Sequence, residues 1–559
     1  MRCQLFSRKF IQYLGGDIRN IYKLLLLAFS FLFISNLFSQ VFDYRQSNRI
    51  RQDLILHDES ILEENNYRDE EEVLQFIEDT MQAHLIPGLS ISIVKDGNIV
   101  WEEHFGYANI DENIIVDENT LFMLASISKT VTATALMQLF EDGLFSLDDD
   151  IDDYLPFDVN HPDYQSTPIT FKMLLSHTSG IKDNWNVMPY YDGDSELELG
   201  YYLEEYLTLG GEFYGSNSNF TNSMPGTNYR YSNIGAALIG FLVEEISNQP
   251  FNEYCNENIF EPLAMDNAFW FLSEIENLDQ VALPYETSGG SGYVDDCSGD
   301  GDCCPESWIG DGFTDCEDQQ WDCDLTCYDN DGGDCGDGGS DPFCGDSFCN
   351  GDENYYNCPD DCSGSGCNET NLAEYMHFGY SDYPSGQLRT TSNNLAKFMA
   401  AYINNGIYNG NRILESETVE MIKSIPYPDI DPQQGLIWYY KNTGVNGRTL
   451  FGHNGGDIGV TTEMFISISE NIGVIVLTNS SNYNAIIQIE NVVFDFAEET
   501  NFTILGDINA DGIINILDVI LIVNIILGIN DFDVLADLNG DGNINILDIV
   551  ALVNIILSN

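Results

Sequence analysis

Apolar residues in EEVLQFIEDTMQAHLIPG, from Glu71, fall three and four apart, which predicts an amphipathic helix closed by a proline turn. The next stretch, LSISIVK, alternates apolar and polar positions and predicts a strand. Asp96 and Gly97 then give a two-residue hairpin signal, and NIVWEEHFGYAN gives the returning strand. Helical spacing dominates the middle of the chain, in LFMLASISKTVTATALMQLFEDG at 121 to 143 and YRYSNIGAALIGFLVEEI at 229 to 246. Strand patterning returns in RTLFGHNGGDIGVTTEMFISISENIGVIVLTNSS from Arg448. Strands at both ends with helices between them predict an α+β fold, an antiparallel sheet flanked by helices beside an all-helical lobe.

Three regions depart from this pattern. Near the start, Arg2, Arg8, Lys9, Arg19 and Lys23 precede the apolar run LLLLAFSFLFI at 24 to 34. Such a run is too short to span a bilayer and predicts a signal peptide over residues 1–40, followed by a linker over 41–70. An uncleaved anchor is the alternative; no Leu-x-x-Cys lipidation site follows the run. The mature chain is expected to be secreted, periplasmic or at the cell surface, without a stable membrane span.

The second departure is an insert over 291–370, which splits a globular domain into parts at 71–290 and 371–500. Twelve of the 14 cysteines lie between Cys297 and Cys367, among Gly and Asp, which in an exported chain predicts a disulfide-stapled module. WIGDGFTDCEDQQWDCDLTCYDNDGGDC, residues 308 to 335, resembles a Notch-type repeat, a small disulfide unit that binds calcium. CGDSFCNGDENYYNCPDDC, residues 344 to 362, looks like another short cysteine module. A disulfide-held loop without a ligand is the other reading.

The third is a repeat over 501–559. GDINADGIINILDVILIVNIILG begins at Gly506, and ADLNGDGNINILDIVALVNIILS begins thirty residues later at Ala536. Asp507, Asn509, Asp511, Asn515 and Asp518 in the first copy, and Asp537, Asn539, Asp541, Asn545 and Asp548 in the second, occupy positions 1, 3, 5, 9 and 12 of a loop with Gly at 6. That is the oxygen-donor spacing of a calcium loop, with Asp in place of Glu at position 12. The pair resembles a type I dockerin module, which implies structural Ca2+ and a cohesin-like protein partner, although such modules also serve as terminal stabilisers.

Charge narrows the function. Against 91 Asp plus Glu stand 20 Lys plus Arg, a net charge of -71, and no Lys or Arg falls between Arg230 and Arg389. Such a surface repels nucleic acid and anionic lipid and favours divalent cations. Lys129 is therefore conspicuous. It is the only Lys or Arg between Lys95 and Lys172, in an apolar helix with no acidic residue before Glu141. Ser126 lies three residues earlier, on the same helical face, so a lysine amine can reach its hydroxyl and take its proton. An N-cap serine beside a solvated lysine is the structural alternative. Further along, Tyr231 and Asn233 stand just before an apolar helix and offer a phenol and an amide. His453, Asn454 and Gly455 are expected at a strand start, where small residues let backbone approach a ligand. SHTSG, Ser176 to Gly180, reads as a structural turn.

In this order the phrases LFMLASISKT, FEDGLFSLDDDIDDYLP, ITFKMLLSHTSGI, PGTNYRYSNIGAALIG, PSGQLRTTSNNLAKFM and FGHNGGDIG resemble the serine β-lactamase-like family. That family includes class C β-lactamases, D-alanyl-D-alanine carboxypeptidases and related esterases. The resemblance implies an acyl-enzyme on Ser126, with Lys129 and Tyr231 sharing general-base work and Asn233 and His453 binding substrate. Backbone amides of Ser126 and Gly456, the latter beside Gly455, would form an oxyanion hole, and no cofactor is implied for catalysis. The family's β-lactamases carry Lys-Thr-Gly where this chain has His453-Asn454-Gly455, which points toward peptide, amide or ester substrates. A protonated His453 could hold a substrate carboxylate. A sensor that acylates with little turnover, and a scaffold acting through its calcium and cysteine modules, are the remaining readings.

Overall fold

The computed structural model describes residues 70–288, 371–442, 447–500 and most of 506–558, with short pieces elsewhere, among them the strand Val41–Phe42. The expected signal peptide, nearly all of the linker and most of the cysteine-rich insert lie outside the described residues.

Helix α1, Glu70–Ala83, opens on three glutamates that suit the positive end of its dipole, and it buries Val73, Ile77, Thr80 and Met81 along one face. Strands β1, Gly88–Lys95, and β2, Asn98–Asn109, follow as a hairpin. Asp96 at φ +51° and Gly97 at φ +76° give that turn two left-handed residues, as the Asp-Gly pair predicts. After the short β3, Ile114–Ile115, come the lobe helices α2, Ser128–Glu141, α3, Leu199–Leu207, and α4, Asn233–Ser247. The insert leaves from β4, Tyr285–Ser288, and returns into β5, Asn371–Glu374, which pair antiparallel with Ser288 opposite Asn371. Helix α5, Ser392–Ile403, then precedes β6, Tyr439–Asn442, β7, Thr449–Asp457, β8, Val460–Ser467, β9, Ile472–Thr478, and α6, Tyr483–Glu499.

The main sheet runs β6-β7-β8-β9-β1-β2-β3, with antiparallel neighbours throughout. Side chains along β9 alternate between two cores. Val474 and Val476 pack with Val73 and Ile77 of α1 and with Ile486, Ile489 and Val493 of α6. Ile475 and Leu477 pack on the opposite face with Leu395, Phe398 and Met399 of α5, in a core continuous with the helical lobe. The α+β architecture expected from the sequence is therefore present. Among the described residues, no helix is long and apolar enough to cross a membrane.

The C-terminal repeat folds as two loop-helix units, with α7 at Ile516–Ile526 and α8 at Ile546–Ser558. Val519, Ile522, Ala536 and Leu552 form their small shared core.

Candidate active site

Ser126 lies in a single 3-10 turn, Ala125–Ile127, that runs straight into α2. The residue before it, Ala125, is held at φ +47°, a conformation disfavoured for a residue with a side chain. Such strain persists only where the surroundings enforce it. Here they do: Leu124 donates its N–H to Leu388 O at 2.8 Å, and Leu124 O accepts from Thr462 Oγ1 of β8 at 2.8 Å. The turn is pinned from both sides and Ser126 stays half-buried at its tip.

Lys129, one turn on, is fully buried. Its Nζ donates to Ser126 Oγ at 3.0 Å and to Ser385 O at 2.5 Å, and it lies 5.1 Å from the centre of the Tyr231 ring. The solvated-lysine alternative is thus removed by burial. The Ser385 carbonyl comes from the PSGQLR segment, which also accepts Thr132 Oγ1 at Pro384 O and donates Leu388 N to Ser128 Oγ. A buried segment laid along α2 fixes the lysine.

Tyr231 is placed by the start of α4. Ser232 caps that helix, accepting from Gly235 N at 2.9 Å. Asp183 receives four further donors there, from Ser232 Oγ, Asn233 N, Asn233 Nδ2 and Ile234 N, at 2.9–3.1 Å. One N–H of the Asn233 side-chain amide is therefore committed to Asp183, which fixes the orientation of the group and leaves its second N–H and its oxygen to other partners. Asp183 itself carries no motif the sequence singled out; its one signal is its place three residues after the SHTSG turn.

His453, Asn454 and Gly455 sit in the second half of β7 and not at its start, because pairing with β6 already begins at Thr449. That pairing ends at Gly452, so from His453 to Asp457 no described strand covers this edge of β7. Gly455 lets the edge approach the Ser126 turn. A Cβ there would lie 2.3 Å from both Leu124 O and Thr462 Oγ1. Gly456 follows, half-buried, opposite Thr461.

The His453 ring, 2% exposed, has its Nδ1 2.5 Å from Asn454 O, and a carbonyl oxygen can only accept. Burial and the nearby Lys129 charge push its pKa down to about 3. It is thus neutral at ordinary pH, and its Nε2 lone pair is buried without a hydrogen-bond partner. The expected carboxylate-binding cation is not what this environment favours. Tyr231, 6.2 Å from the His453 ring, and Tyr439, 5.4 Å from it, complete an aromatic wall.

In the C-terminal module hydrogen bonds link the expected donors of the second loop. Gly542 has φ +77°; Asp537 accepts from Asp541 N and Gly542 N, and Asn539 Oδ1 accepts from Asp541 N. Asp548, fully buried, accepts from Asn539 N and Asn545 N and so closes the loop. In the first loop Asp518 does the same for Ile508, Asn509 and Asn515, while Asp511 is outside the described residues. All the donors are hard oxygens at calcium-loop positions, a set that fits Ca2+.

Residues 73–491 match the family described as Beta-lactamase, and residues 505–557 match Dockerin type I domain. The chain is 27% identical over 228 residues to Protein flp of Staphylococcus aureus (strain MRSA252), which is 40% of this chain and 43% of that protein. It is 29% identical over 210 residues to a D-aminopeptidase of Gluconobacter oxydans (strain 621H), 37% of each. The chain spans less than half the length of these curated relatives. In fold it is similar to the D-amino acid amidase from Ochrobactrum anthropi SV3, with a TM-score of 0.50 and 17% identity over 77% of this chain and 98% of that one.

Proposed function

The chain belongs to the Beta-lactamase family over residues 73–491 and ends in a Dockerin type I domain, and from that premise we propose that it is an exported serine hydrolase working through an acyl-enzyme on Ser126. The observation that carries this reading is the buried Lys129 amine, 3.0 Å from Ser126 Oγ and anchored by Ser385 O. As Oγ attacks the carbonyl carbon of an amide or ester, its proton passes to the Lys129–Tyr231 pair and on to the leaving amine or alcohol. Backbone N–H groups of Ser126 and Gly456 receive the oxyanion, at about 10² to 10³ in rate each. Water then attacks the acyl-enzyme, gives up a proton to the same pair, and releases the acid and free Ser126.

A neutral His453, its buried Nε2 lone pair without a hydrogen-bond partner, disfavours substrates that need a cation for their carboxylate. It suits an amide or ester with a hydrogen-bond donor near the scissile bond. The names D-aminopeptidase and D-amino acid amidase borne by relatives make D-amino acid amides the first substrates to try. The C-terminal module supports anchoring to a cohesin-like partner. It exposes Ile516, Leu517 and Ile520 on α7 and, thirty residues on, Ile546, Leu547 and Val550 on α8. Asp507, Asn509, Asp511, Asn515 and Asp518, with their five counterparts in the second loop, would hold structural Ca2+ there.

A fluorophosphonate probe followed by peptide mass spectrometry tests the reading. The adduct is expected on Ser126 in the wild-type chain and absent in Ser126→Ala; equal labelling of that variant would sink it. Turnover of D-alanine amide, p-nitrophenyl acetate and a cephalosporin then separates a hydrolase from a protein that acylates and stalls.

A further inference from the structure

His177, the histidine of the SHTSG turn, is fully enclosed, yet the proton-transfer scheme above does not use it. It follows the short helix Phe171–Leu175 and is held at φ +53°, an uncommon conformation for a residue with a side chain. Its two acceptors bracket one residue. His177 O accepts from Arg230 N at 2.7 Å, and His177 Nδ1 accepts from Ser232 N at 3.3 Å. Between those two anchored amides stands Tyr231, whose ring lies 4.4 Å from the imidazole at an interplanar angle of 36°.

We infer that His177 is a positioning residue for Tyr231, clamping the backbone on either side of it and supporting its ring from beneath. The inference rests on the acyl-enzyme reading for its catalytic consequence. A glycine-like turn would need none of these contacts, and a purely apolar residue would leave Ser232 N without its buried acceptor. The clamp also requires a neutral imidazole, because a doubly protonated ring has no lone pair for Ser232 N. The charged and titratable groups around it are Lys129 on α2, His453 on β7, Tyr229 and Tyr231 before α4, and Asp183, which holds Ser232 Oγ. Burial, with Lys129 and His453 adding to it, pushes the His177 pKa well below 6.5 and keeps the lone pair in place. With Nδ1 accepting, the proton is on Nε2, which is buried without a partner. The imidazole therefore adds no second positive charge beside Lys129.

The experiment compares the full-length wild type with His177→Asn and His177→Phe. Asparagine offers an acceptor to Ser232 N and tolerates left-handed backbone, but removes the ring; phenylalanine keeps a ring and removes the acceptor. Three quantities are read: the melting temperature, the pH profile of Ser126 labelling by a fluorophosphonate, and nitration of Tyr231 by tetranitromethane relative to the exposed Tyr107. For a folded His177→Asn, Tyr231 nitration is expected to rise several-fold. Labelling is expected to slow by about 100-fold, as for an angstrom-scale displacement of a reacting group, with a shifted pH profile. A folded variant with wild-type nitration and an unchanged labelling profile would overturn the inference. So would loss of the fold in both variants, which would make His177 a structural residue only. A wild-type chain that does not label strikes the acyl-enzyme reading instead, and nitration still reports whether His177 holds Tyr231.

Discussion

Gly455 shows how little room a single residue leaves at this site. A methyl there would press on Leu124 O and Thr462 Oγ1, which already bond each other, so β7 must move away from the Ser126 turn. Gly455→Ala is expected to fold with a cost of about 1–3 kcal/mol for overpacking and to label Ser126 about 100-fold more slowly. Melting temperature and labelling kinetics on one preparation check this, and a wild-type labelling rate would refute it. His453 gives a prediction in pH. Its folded pKa of about 3 lies below the ordinary 6.5, so its contribution to stability is complete above about 6.5 and is lost as pH falls toward 3. His453→Gln should therefore lose less melting temperature than the parent between pH 6.5 and 4. At this scale the grouping of Ser126, Lys129 and Tyr231, which the structure brings together, was legible in the sequence, because a lysine without solvating purpose and an ordered set of phrases are visible in one dimension. Asp183 and the Ser385 carbonyl were not visible. One is an ordinary aspartate 50 residues from the amides it caps, and the other is backbone, contributed to a lysine 256 positions away.

Among the elements, β1 reads as a half-buried strand by its alternation, yet both faces are covered and Ser90 and Ser92 are buried. The structure explains how Ser90 survives there, since its Oγ bonds His104 Nδ1 and Ser392 Oγ, the latter from α5, whereas Ser92 Oγ is buried without a hydrogen-bond partner. Periodicity reports which positions differ, and only the covering helix decides whether the polar face is wet. The same sheet buries a charge cluster that patterning does not announce. Lys441 on β6 meets Glu463 on β8 and Glu490 on α6, each at 2.8 Å, and both glutamates are fully buried. One cation serves two carboxylates, and burial with the neighbouring Glu490 charge raises the Glu463 pKa to about 8. Removing the cation should be costly and removing the proton-bearing charge should not. Lys441→Met is expected to destabilise by about 3–5 kcal/mol, Glu463→Gln by no more than about 1 kcal/mol at neutral pH. Because the Glu463 pKa is raised, its contribution is complete below about 4.5 and is lost as pH rises through 8. Denaturant midpoints at pH 5 and 8 should diverge more in the parent than in Glu463→Gln; an equal divergence would contradict the assignment.

For the whole molecule the governing quantity is a net charge of -71, which makes every compact state self-repelling. Salt relieves that repulsion over a Debye length of about 8 Å at 0.15 M, without regard to where the charges sit. Calcium is expected to act differently. Each C-terminal loop brings three aspartates into twelve residues, Asp507, Asp511 and Asp518 in one and Asp537, Asp541 and Asp548 in the other, with asparagines completing the oxygen set. A divalent ion coordinated there would neutralise charge by direct contact with the oxygens, at about 2.3–2.6 Å, and tie both ends of each loop to its helix, which diffuse sodium cannot do. Hydrogen exchange on the full-length chain separates the two effects. Millimolar Ca2+ in 0.15 M NaCl should slow exchange over 506–558 well beyond the salt alone, and leave α2 and β7 unchanged. Asp507→Ala and Asp537→Ala should each abolish the calcium response of their own loop. A response spread evenly over the chain, or one matched by extra sodium, would assign the effect to screening and leave the loops without a coordinated ion.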